Sequence, residues 1–354
     1  MESKPEMGCA IMIKLYTYQK LLLPENRRQI HPLLFDLHYF ENTHPSVHQH
    51  YQLVDQPHDA DAFIFPIDYL SSASREYHQD FKTMRDKATE YGKKMMVYTG
   101  GDYGKTFHDP SIIPWRNAGF KSMNDQNTIV VPSFINDPIA LDEIELQIHE
   151  YELKPKISFT GFATGNLKES LRSASSTIKG NILRFFHKNE SDYQISYNAA
   201  GKRYHYLKLL EHNEQIITDF IYRDAYRAGA TTDEERIIST LEFFKNLNSS
   251  PYVFCLRGAG NFSVRFYEAL ALGKIPVLMD TDVQLPLEGL IPWDDHLCRV
   301  GVDQDLTTVL LNFHKSHNDH SFKKLQEANR KLYENYLVRH AYFCHLHDHL
   351  KSLL

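Results

Sequence analysis

Residues 252–293, YVFCLRGAGNFSVRFYEALALGKIPVLMDTDVQLPLEGLIPW, constrain the fold more tightly than any other stretch of the chain. Residues 252–256 form a short apolar run of strand type, 257–262 a polar loop with two glycines, 263–272 a helical segment and 275–279 a second buried strand. Such a succession makes an α/β crossover unit. Its loop sets Arg257, Gly258, Gly260, Asn261 and Ser263 directly before a helix start. A helix start presents unsatisfied N–H groups and the positive end of a dipole, a setting that suits phosphate. Arg257 and Arg265 add permanent charge. The segment points to an anionic, phosphate-bearing ligand, and a sugar nucleotide is the best candidate.

The rest of the chain supplies the surroundings this unit needs. At 354 residues it exceeds what one core usually supports, so two domains are expected. The first half carries apolar runs at 11–18 (IMIKLYTY), 62–66 (AFIFP), 95–99 (MMVYT) and 128–131 (TIVV), with the clearest helical pattern at 72–91. Alternating strands and helices argue a parallel α/β sheet. After the polar segment EYELKPK (150–156) the pattern restarts with a strand at 157–160 and helices near 166–186 and 234–247. Beyond Gln304 the sequence reads as helical to its end, most regularly at 322–336. The expected division is a first Rossmann-like domain over 1–154, a second over 155–318, and helices over 319–354 that return to the first. Ligands in open sheets of this type gather at the carboxyl ends of the strands. The architecture expected is therefore α/β of the GT-B type, two such domains facing across a cleft.

Bulk properties narrow the classes. The net charge of −6 gives no basic surplus, so the electrostatic footprint of nucleic-acid binding is missing. The cysteines at 9, 255, 298 and 344 show neither a CxxC pair nor metal-ligand spacing, which fits a reducing compartment without disulfides. No signal-peptide h-region and no uncharged run near 18 residues is present, so the expected setting is soluble and cytoplasmic.

With these residues on the page, the chain resembles the exostosin-like glycosyltransferases, inverting enzymes of GT-B fold. FCLRGAGNFSVRFYEALALGKIPVLMDTDVQLPLEGLIPW is similar to that family's succession of FCL, a glycine loop, S-x-R, EA, G-x-IPV and a later P…W. IKLYTYQKLLLP, ADAFIFPIDYL, GGDYG, VVPSF and ISFTG resemble further family elements in the expected order, so the likeness touches most of residues 11–300. Two departures stand out: no secretory stem or anchor precedes the first strand, and the loop reads LRGAGN where proline is common.

The resemblance implies roles that stand beside plainer readings. Glu268 follows Arg265 by three positions, so they share a helix face. In GT-B enzymes a carboxylate here accepts from the donor ribose, whereas the plain alternative is a solvated ion pair. Arg257 and Arg265 would neutralise the diphosphate and stabilise the leaving group, or else form ordinary salt bridges. Ser263 is expected to cap the helix in either case and to touch phosphate in the functional one. Gly258 and Gly260 allow close backbone approach or a tight turn. Arg172 and Arg184, beyond the 157–161 strand, are further phosphate candidates that a solvated helix face would also explain. Asp280 and Asp282 form a DxD pair, read here as loop and cap chemistry, so no metal site is expected.

An inverting transfer needs one general base, expected from the first domain. Asp102 in GGDYG is the favoured candidate because it follows a strand and has flanking glycines. Asp68, Asp36 and His38 are the others, and aspartates in glycine loops are commonly turn formers. The histidine clusters THPSVHQHY and CHLHDH lack a ligand set at known spacing and are read as solvated or core histidines.

The sequence thus leads to an inverting, metal-independent glycosyltransferase without a cofactor. A nucleotide diphosphate sugar, with UDP expected, is the donor, and a glycan or glycoconjugate hydroxyl is the acceptor. The setting is polysaccharide or lipid-linked glycan synthesis, with peripheral membrane association left open. A GDP-fucose-dependent fucosyltransferase, a sugar-nucleotide epimerase of GT-B-like fold and a non-catalytic glycan-binding partner subunit are the alternatives.

Overall fold

The computed structural model describes residues 12–40, 43–71, 76–224 and 229–354. Cys9, Ile11 and positions 72–75 at the start of the expected 72–91 helix lie outside the described residues. Eleven strands are seen among the described residues: β1 (Ile13–Tyr16), β2 (Tyr51–Val54), β3 (Ala62–Ile64), β4 (Met95–Thr99), β5 (Ile112–Arg116), β6 (Ile129–Val130), β7 (Lys156–Phe162), β8 (Ile217–Arg223), β9 (Tyr252–Cys255), β10 (Ile275–Asp280) and β11 (Cys298–Gly301). The α-helices are α1 (Pro32–Leu34), α2 (Pro45–His50), α3 (His78–Glu90), α4 (Leu167–Phe185), α5 (Ala199–Glu211), α6 (Asp233–Asn248), α7 (Val264–Ala271), α8 (Leu306–Lys315), α9 (Asp319–Leu332) and α10 (Arg339–Leu353).

The chain divides into two compact units. Unit 1 takes the residues up to 117 with 124–131 and 338–354, and unit 2 takes 118–123 and 132–337. Each holds one parallel sheet: β2-β1-β3-β4-β5-β6 in unit 1 and β11-β10-β9-β7-β8 in unit 2. The strand order reverses between β1 and β3 in the first and between β7 and β9 in the second.

In unit 1 the final helix α10 belongs to the fold of the first residues. Tyr51 Oη donates to Phe343 O at 2.8 Å, Tyr342 Oη donates to Val130 O at 2.8 Å, and Arg339 Nε donates to both carboxylate oxygens of Asp36 at 2.9 and 3.0 Å. The histidine clusters meet along this packing. His44 stacks on His340 with centroids 4.5 Å apart, and His50 meets His347 edge-on at 4.9 Å. No group of three potential metal ligands is seen among the described residues.

In unit 2, β9 is buried along its whole length and β10 everywhere except its last residue, which is why both read as unbroken apolar runs. Helix α7 buries Phe266, Tyr267, Ala269, Leu270 and Ala271. It ends at Gly273, whose φ is +65°. Gly273 N donates to Leu270 O and Lys274 N to Ala269 O, the paired bonds of a Schellman stop. A Cβ on Gly273 would come 3.0 Å from Gln326 O, so a side chain there is crowded as well as strained.

The expected elements recur with trimmed ends: 11–18 contains β1, 128–131 contains β6, 166–186 contains α4 and 322–336 overlaps α9. Four strands, β2, β5, β8 and β11, and the helices α1, α2 and α5 are not among the expected elements. β5 contains Pro114, which normally argues against a strand, but the β6 ladder pairs only Trp115 and Arg116 and so leaves Pro114 outside it. β8 is an edge strand, partly exposed along its length, and so lacks a continuous apolar signature.

Candidate functional site

Connections leave the two strands at a reversal of order in opposite directions, opening a crevice beyond their carboxyl ends. In unit 2 those strands are β7, ending Thr160-Gly161-Phe162, and β9, which runs on into Leu256 and Arg257. Three guanidinium groups gather there. Arg265, in the first turn of α7, donates from Nη2 to Thr160 O at 2.7 Å and lies 4.3 Å over the Phe159 ring. Arg203, on α5, donates from Nη1 to Phe162 O at 2.9 Å and from Nη2 to Arg257 O at 3.2 Å, tying the ends of both strands together. Arg257 donates from Nη2 to Ala259 O at 2.6 Å and lies over the rings of Tyr197 at 4.5 Å and Phe120 at 5.1 Å.

Backbone geometry admits this convergence. A Cβ on Gly161 would come 2.8 Å from Arg265 Nη2, so the glycine of ISFTG leaves the space through which Arg265 reaches Thr160. Among the described residues Arg203 and Arg265 form no ion pair, and the Nε of each is buried without a hydrogen-bond partner. Tyr197 Oη, under Arg257, is buried without one among the described residues too. Buried polar atoms are nearly always satisfied, so several unsatisfied donors in one place mark a site built for a ligand atom.

Electrostatics agree with that reading. Burial lowers Arg203 to about 10, and the neighbouring Arg265 charge adds to the effect. Burial lowers Arg265 in the same direction. The Glu268 carboxyl, one turn along α7, is raised to about 7 by burial, with Arg265 pulling the other way. Its oxygens accept no hydrogen bond from the described residues. Arg265 and Glu268 both retain partial exposure.

The remaining loop residues take other positions. Ser263 occupies the N-cap of α7 with φ −136° and ψ 117°, yet its side chain makes no capping bond. The expected hydroxyl cap is therefore missing, and the hydroxyl is left without a partner in the helix it precedes. Asn261 is buried and engaged at both ends of its amide: Nδ2 lies 2.9–3.0 Å from the carbonyls of Gly119, Thr281 and Asp282, and Oδ1 accepts from Thr281 Oγ1 at 2.7 Å. Gly258 and Gly260 do not adopt positive φ, and a Cβ on Gly258 would meet only Arg203 Nη2 at 3.9 Å. Arg172 is exposed on α4 beside Glu169 at 3.8 Å. Arg184 is buried and donates to Ser191 Oγ at 3.0 Å and Asn181 Oδ1 at 2.9 Å.

Asp280 and Asp282 form a turn. Asp280 Oδ1 accepts from Asp282 N and Val283 N at 3.0 and 3.2 Å, its Oδ2 faces Arg299 at 3.1 Å, and Asp282 accepts from Ser122 Oγ at 2.6 Å.

Among the acids of unit 1, Asp102 is exposed in the turn after β4, and His38 is exposed as well. Asp36 is buried and bound by Arg339. Asp68 sits differently. Its Oδ1 accepts from Leu70 N and Gly100 N, both at 3.0 Å, while Oδ2 accepts nothing from the described residues, and burial raises its pKa. A Cβ on Gly100 would come 2.6 Å from Oδ2, so the first glycine of GGDYG makes room for this carboxylate.

Arg203, Tyr197 and Phe120 were missed from the sequence. The one signal was NAAGKRYHY, where Asn198 caps α5 and places Arg203 in its second turn.

No protein-family model matches the sequence, and no curated protein matches it. Among solved structures the chain is similar to the GtfA/B complex, at 10% identity over 82% of this chain and 57% of that one, with a TM-score of 0.36. It is similar to WaaG, a glycosyltransferase involved in lipopolysaccharide biosynthesis, at 8% identity over 94% and 99% with a TM-score of 0.31. It is likewise similar to CalG4, the calicheamicin glycosyltransferase, at 8% identity over 97% and 98% with a TM-score of 0.32. The chain thus spans little more than half of the GtfA/B chain it matches. Likeness this loose carries no function across.

Proposed function

We propose that the chain is a glycosyltransferase of GT-B arrangement that holds a nucleotide diphosphate sugar beyond the carboxyl ends of β7 and β9. One observation carries the reading: Arg203, Arg257 and Arg265 converge there on carbonyl oxygens and ring faces, with buried Nε donors on Arg203 and Arg265 left unspent. Planar guanidinium groups suit a diphosphate, and their fixed charge favours the charge that develops on it as the sugar departs. In this reading they stabilise the leaving group without an added divalent cation. Glu268 accepts from the ribose hydroxyls, and UDP is the expected nucleotide.

The transfer is a single displacement with inversion. An acceptor hydroxyl attacks the anomeric carbon, the bond from that carbon to the diphosphate breaks, and the hydroxyl proton passes to a base. Asp68 suits this task better than the exposed Asp102, because two amides fix one oxygen while the other stays uncommitted and burial favours proton uptake. The acceptor is a glycan or glycoconjugate, and the setting is cytoplasmic synthesis of a surface polysaccharide or lipid-linked glycan with peripheral membrane contact.

A thermal-shift screen over UDP-, GDP- and CMP-sugars tests the reading. Stabilisation by one nucleotide class, with release of that nucleoside diphosphate on addition of acceptor glycans, is expected. Identical melting curves with every nucleotide sugar would remove its basis.

A further inference from the structure

Helix α4 is packed inside out. Its serine and asparagine face is turned into unit 2: Ser173 Oγ donates to Tyr197 O at 3.2 Å, Asn181 Nδ2 to Gln194 O at 2.8 Å, and Arg184 Nε to Ser191 Oγ at 3.0 Å. Its apolar residues recur at intervals of seven, four and three, as Leu171, Ile178, Ile182 and Phe185, and so share one face. That face is turned outward, with Leu171 71%, Ile178 61%, Ile182 51% and Phe185 68% exposed. Tyr193 and Ile195, on the segment that the polar face holds, are exposed as well. Amphipathic helices of soluble domains bury such a stripe, so this one is free to be covered by something else.

Charge says what covers it. The stretch 166–188 carries Lys168, Arg172, Lys179, Arg184 and Lys188 against Glu169 alone, in a chain whose net charge is −6. Lys168, Arg172 and Lys179 are exposed and follow one flank of the apolar stripe. Apolar residues beside lysines and arginines that can extend toward phosphate describe a helix lying in the interface of an anionic bilayer. A two-fold contact between copies would instead set these cations against their own equivalents.

We infer that the Leu171–Ile178–Ile182–Phe185 face of α4, with Lys168, Arg172 and Lys179, is a docking surface for an anionic lipid membrane. No helix among the described residues is long and apolar enough to cross one, so the association is peripheral. The inference does not depend on the proposed reaction.

Flotation of the full chain with phosphatidylcholine vesicles, with and without phosphatidylglycerol, decides the matter. The wild-type chain should float with the phosphatidylglycerol vesicles and release as salt is raised. The double variant Ile178→Asp/Phe185→Asp should lose at least about tenfold in partition, given the apolar area withdrawn. The variant Lys168→Gln/Arg172→Gln/Lys179→Gln should lose its preference for the anionic vesicles. All these side chains are exposed, so both variants should melt as the wild type does. Failure of the wild type to float with either vesicle, or flotation of the double variant at the wild-type level, overturns the inference. So does a dimer, measured by sedimentation, that the double variant dissolves while vesicles capture neither protein.

Discussion

Arg203 and Arg265 hold their positions through carbonyl oxygens and, for Arg265, the Phe159 ring, with neither in an ion pair among the described residues. Replacing either by alanine should therefore cost little stability and weaken nucleotide binding by about tenfold or more, from charge-assisted bonds of roughly 1.5–3 kcal/mol. Calorimetric titration of each folded variant checks this. Glu268 behaves in the opposite sense. Its folded pKa of about 7 lies above the ordinary 4.5, so the folded chain binds the extra proton between those values. Stability is then lost as pH rises through that window, and the cost is fully present above pH 7. Glu268→Gln should raise the melting temperature of the ligand-free chain at pH 8 and weaken nucleotide binding at the same pH. Arg257 and Arg265 were legible in the sequence because they flank a helix start. Arg203 was not, because it comes from a helix far upstream and joins them only through the β7–β9 adjacency.

At the scale of elements, the Schellman stop after α7 rests on Gly273. Gly273→Ala should destabilise unit 2 by about 1–2 kcal/mol from the left-handed conformation alone, with the approach to Gln326 O adding to it. A urea titration with an unchanged midpoint would contradict this. Strands buried on both faces were readable as apolar runs, as 95–99 and 275–279 illustrate. The strands that escaped notice had a reason in each case: a proline sits within β5, histidines lead into β2, and β8 and β11 lie at the two edges of their sheet. Helix α4 was readable as a helix but not as inverted, since periodicity reports that two faces exist and says nothing of which one turns inward.

At the scale of the whole molecule, histidines set the acid limit. His31 is fully buried, with Nδ1 accepting from Leu33 N and Nε2 without a partner among the described residues, and burial pushes its pKa down to about 3. In unit 2, burial lowers His149 to about 4 and lowers His314 as well. A base whose folded pKa lies below its unfolded value contributes fully above about pH 6.5 and loses that contribution as pH falls. At pH 5 His31 alone should cost unit 1 about 2 kcal/mol, so the melting temperature should drop between pH 7 and 5. Replacing His31 with glutamine should flatten that slope, while an unchanged slope would place the acid sensitivity elsewhere. Two parallel α/β units were foreseeable from the restart of the strand–helix pattern. The passage of the chain back into unit 1 at α10 was foreseeable only from the expected GT-B architecture, because no local pattern encodes where a helix docks.

The central claim is that a nucleotide diphosphate is held at the reversal of strand order in unit 2. Isothermal titration of UDP into the wild-type chain and into Arg203→Ala tests it most directly, because Arg203 bonds the ends of both flanking strands. Saturable binding by the wild type, weakened about tenfold or more in the folded variant, is the expected result. Equal affinity in the two proteins would place the nucleotide somewhere else.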